Sequence, residues 1–415
     1  MKHVKSIRRL LAFLLSAVIA LAAAGCGTGA GEPADDISSS DPEPVQWVSD
    51  PDFEDRVAGF SIELFKKSFD DVKNTLVSPL SVLLALAITA NGAEGETLEQ
   101  MEQVLGGLPI AGLNAKLRDY VRSLPSTEKA KLHIANSIWF RDDPGLKVQP
   151  EFLWTNANFY GAAVRRSPFD GRTVGDINNW VKDNTDGMIK EIVDEIDPAV
   201  VLYLINAMVF DAEWERVYEE NQIRQGNFYA AGRLLPQRVD FMHQQEHSYL
   251  SDDKAVGFLR PYAGGRYAFA ALLPDEGVPL EEYIAGLDGE RLAALLANAR
   301  PETVYAAIPK FSFECETSLK ESLIGMGMPL AFGAAADFSA MSADTPLCIS
   351  AVRHKTFIEV NERGARAAAV TAVETAPTSA MPGKYVTLDR PFVFAIIDGD
   401  NGLPLFIGAV NTVEN

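Results

Sequence analysis

The run NTLVSPLSVLLALAITANGAEGETLEQMEQVLG, residues 74–106, carries the strongest structural signal in the chain. Ser78 precedes Pro79, and because serine is a preferred helix N-cap and proline is favoured in the first turn, a helix is predicted to begin there. The residues that follow are apolar on nearly every face, which predicts a helix buried inside a large domain. A second helix is predicted over 95–105, where Gly106 and Gly107 stop it.

Outward from this run, helices predominate before residue 200 and strands after it. Apolar residues from Phe53 to Phe65 recur at helical spacing, whereas residues 131–140 alternate as a half-buried strand does. The near-continuous apolar run VVLYLINAMVF, residues 200–210, predicts a strand covered on both faces. The remaining predictions are helices at 150–160, 175–190, 279–298 and 316–326, short strands over 226–275 and two closing strands in 390–398 and 403–413. This order, without a βαβ rhythm, predicts an α+β fold.

Composition and charge exclude several classes of protein. The chain has 415 residues, 47% hydrophobic and 23% charged, which is typical of a globular protein and not of a disordered chain or a polytopic membrane protein. Its net charge of −20 repels phosphate backbones, so nucleic acid is not an expected partner. The three cysteines form no disulfide framework, and Cys315 and Cys348 are interpreted as buried thiols.

The N-terminus has the pattern of a targeting segment. Lys and Arg residues in 1–9, an apolar run to Ala24 and small residues before Cys26 predict a signal peptide over 1–25. A cysteine at that point resembles a bacterial lipobox and predicts lipidation of Cys26, although Ala23 stands where Leu is usual. Ordinary secretion with cleavage near Ala24 is the alternative. Residues 26–52, rich in Gly, Ser, Pro and Asp, predict a flexible tether, followed by one domain over 53–415.

Motifs for catalysis are nearly absent. HQQEH at 243–247 fits an inverted zinc-protease pattern, but that chemistry needs a helix and the segment alternates as strands do. No G-x-S-x-G elbow, Walker loop or dinucleotide fingerprint is present. We therefore expect no enzymatic activity, no metal and no cofactor. A hydrolase built on HQQEH is a remote alternative.

Residues 358–381, IEVNERGARAAAVTAVETAPTSAM, form an unusual segment. One interpretation is an alanine-rich helix, because alanine is the best helix former. As a strand, the segment separates by parity: Ala365 and the odd positions to Thr375 are uncharged and small or moderate in size, whereas Arg366 and Glu374 are even. Since alternate residues share one face, the odd set could enter a core without burying a charge. An exposed loop here could therefore also serve as a central strand.

Several long motifs follow one another along the domain. In order, they are NTLVSPLSVLLALAITANGAEGETLEQMEQVLG, INNWVKDNTDGMIKEIV, LINAMVFDAEW, IPKFSFE, AVRHKTFIEVNERG, and RPFVFAIID with LPLFIGAVN. In these motifs and their order, the domain resembles the serpins. The resemblance implies three β-sheets, about eight to nine helices and an exposed reactive-centre loop at about 362–382.

It also implies residue roles. Ser78, Ser81, Asn206 and His354 match the family's shutter, a polar cluster beneath the place where the main sheet opens, and Trp214 matches the breach, where loop insertion starts. The hinge matches residues 364–369, namely Gly364, Ala365, Arg366, Ala367, Ala368 and Ala369. Arg363 and Arg366 depart from the family, which commonly has acids there, and Ala365 stands where Thr or Ser is usual. Counting along the loop places the reactive bond at Thr378-Ser379, with candidates from Ala376 to Met381.

The implied function is suicide-substrate inhibition of a serine protease through a covalent acyl complex. Small residues before the cut predict elastase-like or subtilisin-like targets. The alternatives are inhibition of papain-like cysteine proteases and a non-inhibitory serpin. The sequence predicts a monomer outside the cytoplasm, either secreted or membrane-anchored through Cys26.

Overall fold

Nine α-helices are present in the part of the chain that the computed structural model describes, which is residues 16–23 by backbone and residues 45–365 and 383–413 in full. Ser78 caps the second helix by accepting from the Ser81 N–H, as predicted, and every residue of that helix is buried. The helices are α1 Pro51–Ser68, α2 Pro79–Ala90, α3 Gly95–Val104, α4 Ile110–Ser123, α5 Pro150–Tyr160, α6 Gly171–Asp183, α7 Leu280–Ala285, α8 Gly289–Ala297 and α9 Lys320–Met326. None of the helices in these ranges is long and apolar enough to span a bilayer.

The strands of the described residues form three sheets. They are β1 Ser16–Ala23, β2 Thr75–Val77, β3 Ala130–Arg141, β4 Ala163–Ser167, β5 Val200–Glu213, β6 Ile223–Phe228, β7 Gln237–Glu246, β8 Ser248–Ser251, β9 Ala255–Pro261, β10 Tyr267–Pro274, β11 Val304–Pro309, β12 Phe311–Ser318, β13 Leu347–Val360, β14 Gly364–Ala365, β15 Lys384–Thr387, β16 Phe392–Asp398 and β17 Pro404–Val410. The predicted α+β class and the three sheets are confirmed.

The main sheet has the strand order β12-β13-β1-β5-β3-β4, and β14 pairs with β5 beyond the end of β1. The second sheet has the order β2-β17-β16-β10-β9-β8, and the third has β15-β11-β7-β6. The largest core cluster joins the main and second sheets around α2. This arrangement puts the long strands β5 and β13 at the centre of the molecule.

Strand β5 is buried on both faces, as its apolar run predicts. From Leu202 onward, its even-numbered apolar residues, including Leu204 and Met208, lie in the main core. Its odd-numbered residues over the same stretch, including Ile205 and Val209, lie in a separate cluster with α6. Any strand that pairs directly with β5 therefore presents alternate residues to the main core.

Strand β1 fills the position between β5 and β13, which we call the slot. It runs antiparallel to both neighbours, with Ser16 opposite Ala207 on β5 and Lys355 on β13. The sequence predicts this apolar run to be part of a signal peptide, outside the fold, so its position in the sheet differs from that expectation. Both roles require a short uncharged apolar segment, and the signal peptide stays a prediction.

Several elements differ from their predicted bounds. Helix α6 ends at Asp183, not near 190, because Asp186 and Gly187 adopt left-handed φ values of 51° and 72°. The helix predicted over 279–298 is two helices, α7 and α8, and residues 316–318 belong to β12. Helix α4 was missed, although Leu113, Leu117 and Tyr120 are buried at helical spacing.

Candidate functional site

The four shutter residues meet in one buried cluster, and each is 0% exposed. The Ser78 N–H donates to His354 Nε2 at 2.9 Å, and the Ser78 hydroxyl donates to the Leu405 carbonyl at 2.9 Å. The Ser81 hydroxyl donates to Asn206 Oδ1 at 2.5 Å. The two sides of the cluster thus belong to β5 and β13, joined through the start of α2.

The sequence analysis missed a further member of this network. The Asn206 side-chain amide donates to Asn136 Oδ1 at 2.7 Å, and Asn136 donates to the Tyr160 carbonyl at 2.9 Å. Asn136 lies on β3 directly opposite Asn206. Asn136 comes within a stretch of alternating apolar residues, which gives no sign of a polar partner. The partner becomes visible only when β3 is paired with β5.

Asn206 and His354 stand on opposite sides of the slot. Ala17 of β1 is paired with Asn206 on one side and with His354 on the other. A strand in the slot therefore passes directly between the two shutter side chains. The polar cluster therefore lies next to any strand that occupies the slot.

Trp214 lies one residue beyond β5 and is 1% exposed. Its ring stacks on Tyr262, with centroids 4.5 Å apart and planes inclined by 10°. Its main-chain N–H donates to the Arg363 carbonyl at 2.7 Å, and its Nε1–H donates to the Asn361 carbonyl at 2.9 Å. The predicted breach residue thus contacts the chain that leads into the hinge.

We call residues 361–363, between β13 and β14, the hinge turn. Lys310 forms an ion pair with Glu362 at 2.7 Å, and Arg363 forms one with Glu213 at 3.3 Å. Burial opposes ionisation of the Glu362 carboxyl, but the Lys310 ammonium, a main-chain hydrogen bond and the Arg363 charge together hold the pKa of that carboxyl below its ordinary value. The turn is therefore anchored by side chains as well as by main-chain bonds.

The hinge begins as strand. Gly364 pairs with Glu213 and Ala365 with Ala212, so β14 is antiparallel to β5. An added Cβ at Gly364 would lie 1.9 Å from the Ala212 carbonyl oxygen, and the φ of 158° there also favours glycine. Ala365 is 5% exposed and belongs to the main core.

Some predicted site residues lie outside the described residues. They are Ala367, Ala368 and Ala369 of the hinge, the candidate reactive bond Thr378-Ser379, and Cys26. The described chain resumes at Gly383 and enters the third sheet at Lys384. The loop is thus bounded by the main sheet at one end and the third sheet at the other.

The HQQEH segment is strand, as predicted, because His243 to Glu246 lie in β7. The Glu246 carboxylate accepts a hydrogen bond from Arg260. No cluster of metal-ligating side chains occurs within residues 45–365 and 383–413. Cys315 and Cys348 are free and half-buried, so they are less buried than predicted, although Cys315 packs against the main core.

Comparisons with known proteins agree with this geometry. A family model described as "Serpin (serine protease inhibitor)" matches residues 55–413. An uncharacterised serpin-like protein of Thermococcus kodakarensis is 34% identical, covering 85% of this chain and 84% of its own, and Iripin-3 of Ixodes ricinus is 33% identical, covering 82% and 89%. The native-state crystal structure of tengpin, a thermophilic serpin, superposes with a TM-score of 0.84 at 45% identity, covering 92% of this chain and all of that one.

Proposed function

Because the chain belongs to the serpin family, we propose that it inhibits serine proteases as a suicide substrate. The target's serine Oγ attacks a loop carbonyl carbon, the C–N bond of that peptide breaks, and the new amine leaves with a proton. The freed loop then enters the slot as a new strand of the main sheet. The attached protease is displaced and its oxyanion hole distorted, so hydrolysis of the acyl-enzyme stalls.

The register of the hinge is the observation that carries this proposal. Ala365 already stands opposite Ala212 on β5, and the two chains run antiparallel. If the loop continued residue by residue, Thr371 would stand opposite Asn206. That position is the one Ala17 of β1 occupies, between Asn206 and His354.

The same register predicts which alternate residues of the loop would face the main core. Ala365 and Ala212 both lie in the main core, so the odd loop positions would face that core and the even ones the opposite face. The odd residues to Thr375 are uncharged, whereas Arg366 and Glu374 are even. An inserted loop would therefore bury no charge in the main core.

The slot accommodates one strand, which would be the loop in a chain that lacks β1. Strand β1 pairs there with β5 and with β13 along most of its length. Beyond its end, a small apolar cavity lined by Val209, Ile358 and Ala365 separates β5 from β13. The backbone donors and acceptors of both neighbours are thus positioned to accept a strand.

Small loop residues favour proteases with shallow specificity pockets. Every residue from Ala376 to Ala380 is small or proline, so a trypsin-like pocket has no cation to bind. In a protease whose large pocket prefers aromatic residues, these side chains would leave the pocket partly empty. The transition-state binding energy would fall by about 1–3 kcal/mol per missing group. Elastase-like or subtilisin-like serine proteases are therefore the proposed targets, with Thr378-Ser379 as the bond.

Incubation with a protease panel, followed by denaturing gels, tests the target class. We expect a band at the summed mass less the released C-terminal peptide, residues 379–415, with an elastase-like enzyme and no such band with trypsin. Thr378→Arg should transfer trapping to trypsin-like proteases if the bond is placed correctly, and Thr378→Gln is the control that lengthens the same side chain without adding a charge. Cleavage without complex would instead favour a non-inhibitory serpin, and complexes with papain-like enzymes alone would favour the cysteine-protease alternative.

We also propose that the mature protein begins at Cys26, is lipidated there and faces outward from a membrane. The support is the basic segment, the apolar run and the small residues before this cysteine. A single acyl chain anchors weakly, so more than one would be needed for firm retention. Metabolic lipid labelling that is equal in wild type and Cys26→Ser would refute this proposal.

A further inference from the structure

A buried ion pair lies next to the breach. Glu246 ends β7 and Arg260 lies on β9, and each is 1% exposed. Arg260 Nη1 donates to Glu246 Oε1, and Arg260 Nη2 donates to the main-chain carbonyl of Arg216 at 2.5 Å. Removing two charges from water is unfavourable unless each charge is hydrogen-bonded. The groups around this pair must therefore stabilise it.

The Arg260 guanidinium also contacts two aromatic rings. Its central carbon lies 4.7 Å from the Trp214 ring centroid and 4.0 Å from the Tyr218 ring centroid. A planar cation attracts both ring faces, more strongly where water is excluded. One side chain thus fixes both ends of the segment 214–218.

That segment holds the hinge turn. Trp214 donates to the carbonyls of Asn361 and Arg363, and the Tyr218 N–H donates to the Glu362 carbonyl at 2.9 Å. Three consecutive carbonyls are therefore bonded to the segment that Arg260 fixes. Immediately after them, Gly364 and Ala365 pair with β5.

We propose that Glu246 and Arg260 are positioning residues for loop insertion. By fixing segment 214–218 they hold the hinge turn, so the first two residues of the new strand are in register before cleavage. Their loss slows insertion relative to hydrolysis of the acyl-enzyme, and more protease escapes per inhibitor consumed. This inference rests on the proposed inhibitory function.

The test compares Glu246→Gln with wild type, both as mature chains, against a protease that the wild type traps. We expect the stoichiometry of inhibition to rise at least about threefold, because Arg260 is left without its charge partner, while the rate of loop cleavage stays unchanged. Asp252→Asn is the matched control. Asp252 pairs with Arg291 at 2.8 Å beyond the far end of β9, so its loss should lower stability without changing the stoichiometry.

Two further variants separate positioning from stability. Arg260→Lys keeps the charge but not the planar fork, and should also raise the stoichiometry. Replacing the pair by Glu246→Leu with Arg260→Met should restore stability while trapping stays impaired. Full recovery of trapping in that double variant, or wild-type stoichiometry in Glu246→Gln, would overturn the proposal.

Hydrogen exchange gives a readout without any protease. Glu246→Gln should exchange the amides of residues 361–365 faster than wild type, and Asp252→Asn should not. Unchanged exchange there would overturn the positioning role even if inhibition fell. A wild-type chain that traps no protease would refute the inhibitory function, whereas the exchange experiment would still decide whether the pair holds the hinge turn.

Discussion

Replacing Ala365 by aspartate tests loop insertion at its first step. Ala365 is 5% exposed and stands opposite Ala212, which is 1% exposed. Aspartate is a sharper probe than arginine, because Glu359 lines the same cavity and could pair with a cation. Strand β5 carries no lysine or arginine, so an inserted carboxylate at this position has no cationic partner on that strand.

The expected effect follows from the burial of that charge. Before cleavage, the two residues of β14 can separate from β5 and leave the aspartate solvated, whereas insertion of the whole loop has to bury it. An uncompensated buried charge is unfavourable by about 3–5 kcal/mol, and part of this enters the insertion barrier. If about 3 kcal/mol enters the insertion barrier, insertion slows by about a hundredfold, since 1.36 kcal/mol corresponds to a factor of ten. The rate of acyl-enzyme hydrolysis is unaffected, so hydrolysis is expected to release the protease before the loop is inserted.

Three measurements check this prediction. Ala365→Asp should be cleaved at the same bond as wild type, located by mass spectrometry of the released C-terminal peptide, yet release active protease. Its unfolding curve shows whether the variant is folded. Arg366→Ala is the control, because it removes a charge from the opposite face and should still trap. Trapping by Ala365→Asp at the wild-type stoichiometry would refute the insertion register.

Asn206→Ala should lower the free energy of unfolding by about 2–4 kcal/mol, because it leaves two buried partners without a hydrogen bond; a loss under about 1 kcal/mol in chemical denaturation would contradict this. Burial opposes ionisation of Asp252, but the Lys254 N–H and the Arg291 guanidinium hold the pKa of its carboxyl below the ordinary value. Its stabilising contribution is therefore present above the unfolded-state pKa and lost as pH falls, so Asp252→Asn should be less stable than wild type at pH 7 by about 1–3 kcal/mol and should converge with it in acid. A constant difference across that pH range would be the opposite result. An unprocessed chain that keeps residues 1–25 should trap protease about tenfold less efficiently than one beginning at Cys26, because β1 fills the slot. Ile19→Pro removes a backbone donor from that strand and should restore trapping, and equal trapping by all three chains would contradict the competition.

Local chemistry made much of the fold predictable. The cap at Ser78, the helical spacing after Phe53 and the apolar run from 200 to 210 each encode their element within a few residues, and each element is present. The break between α7 and α8 was not visible in the same way, because buried apolar residues recur on both sides of Gly286 and Asp288. Helix ends depend on single backbone conformations, which a periodic pattern does not reveal.

The candidate site was only partly accessible from sequence. Ser78, Ser81, Asn206 and His354 were grouped through family resemblance, and the structure brings them together. The Glu246–Arg260 pair was missed, because the two residues lie 14 positions apart on strands of different sheets and no local motif joins them. Pairings between distant strands are set by tertiary packing, so charge partners of this kind appear only in the folded molecule.

The central claim is that the cleaved loop becomes a strand between β5 and β13 in the register set by Ala365. A crystal structure of the mature chain, cleaved at its loop, tests this most directly. We predict that the cleaved loop pairs antiparallel with both neighbours, with Thr371 between Asn206 and His354 and with Arg366 and Glu374 directed away from the main core. A cleaved loop that lies outside the slot, or one shifted by a residue so that these two charges face the core, would contradict the account.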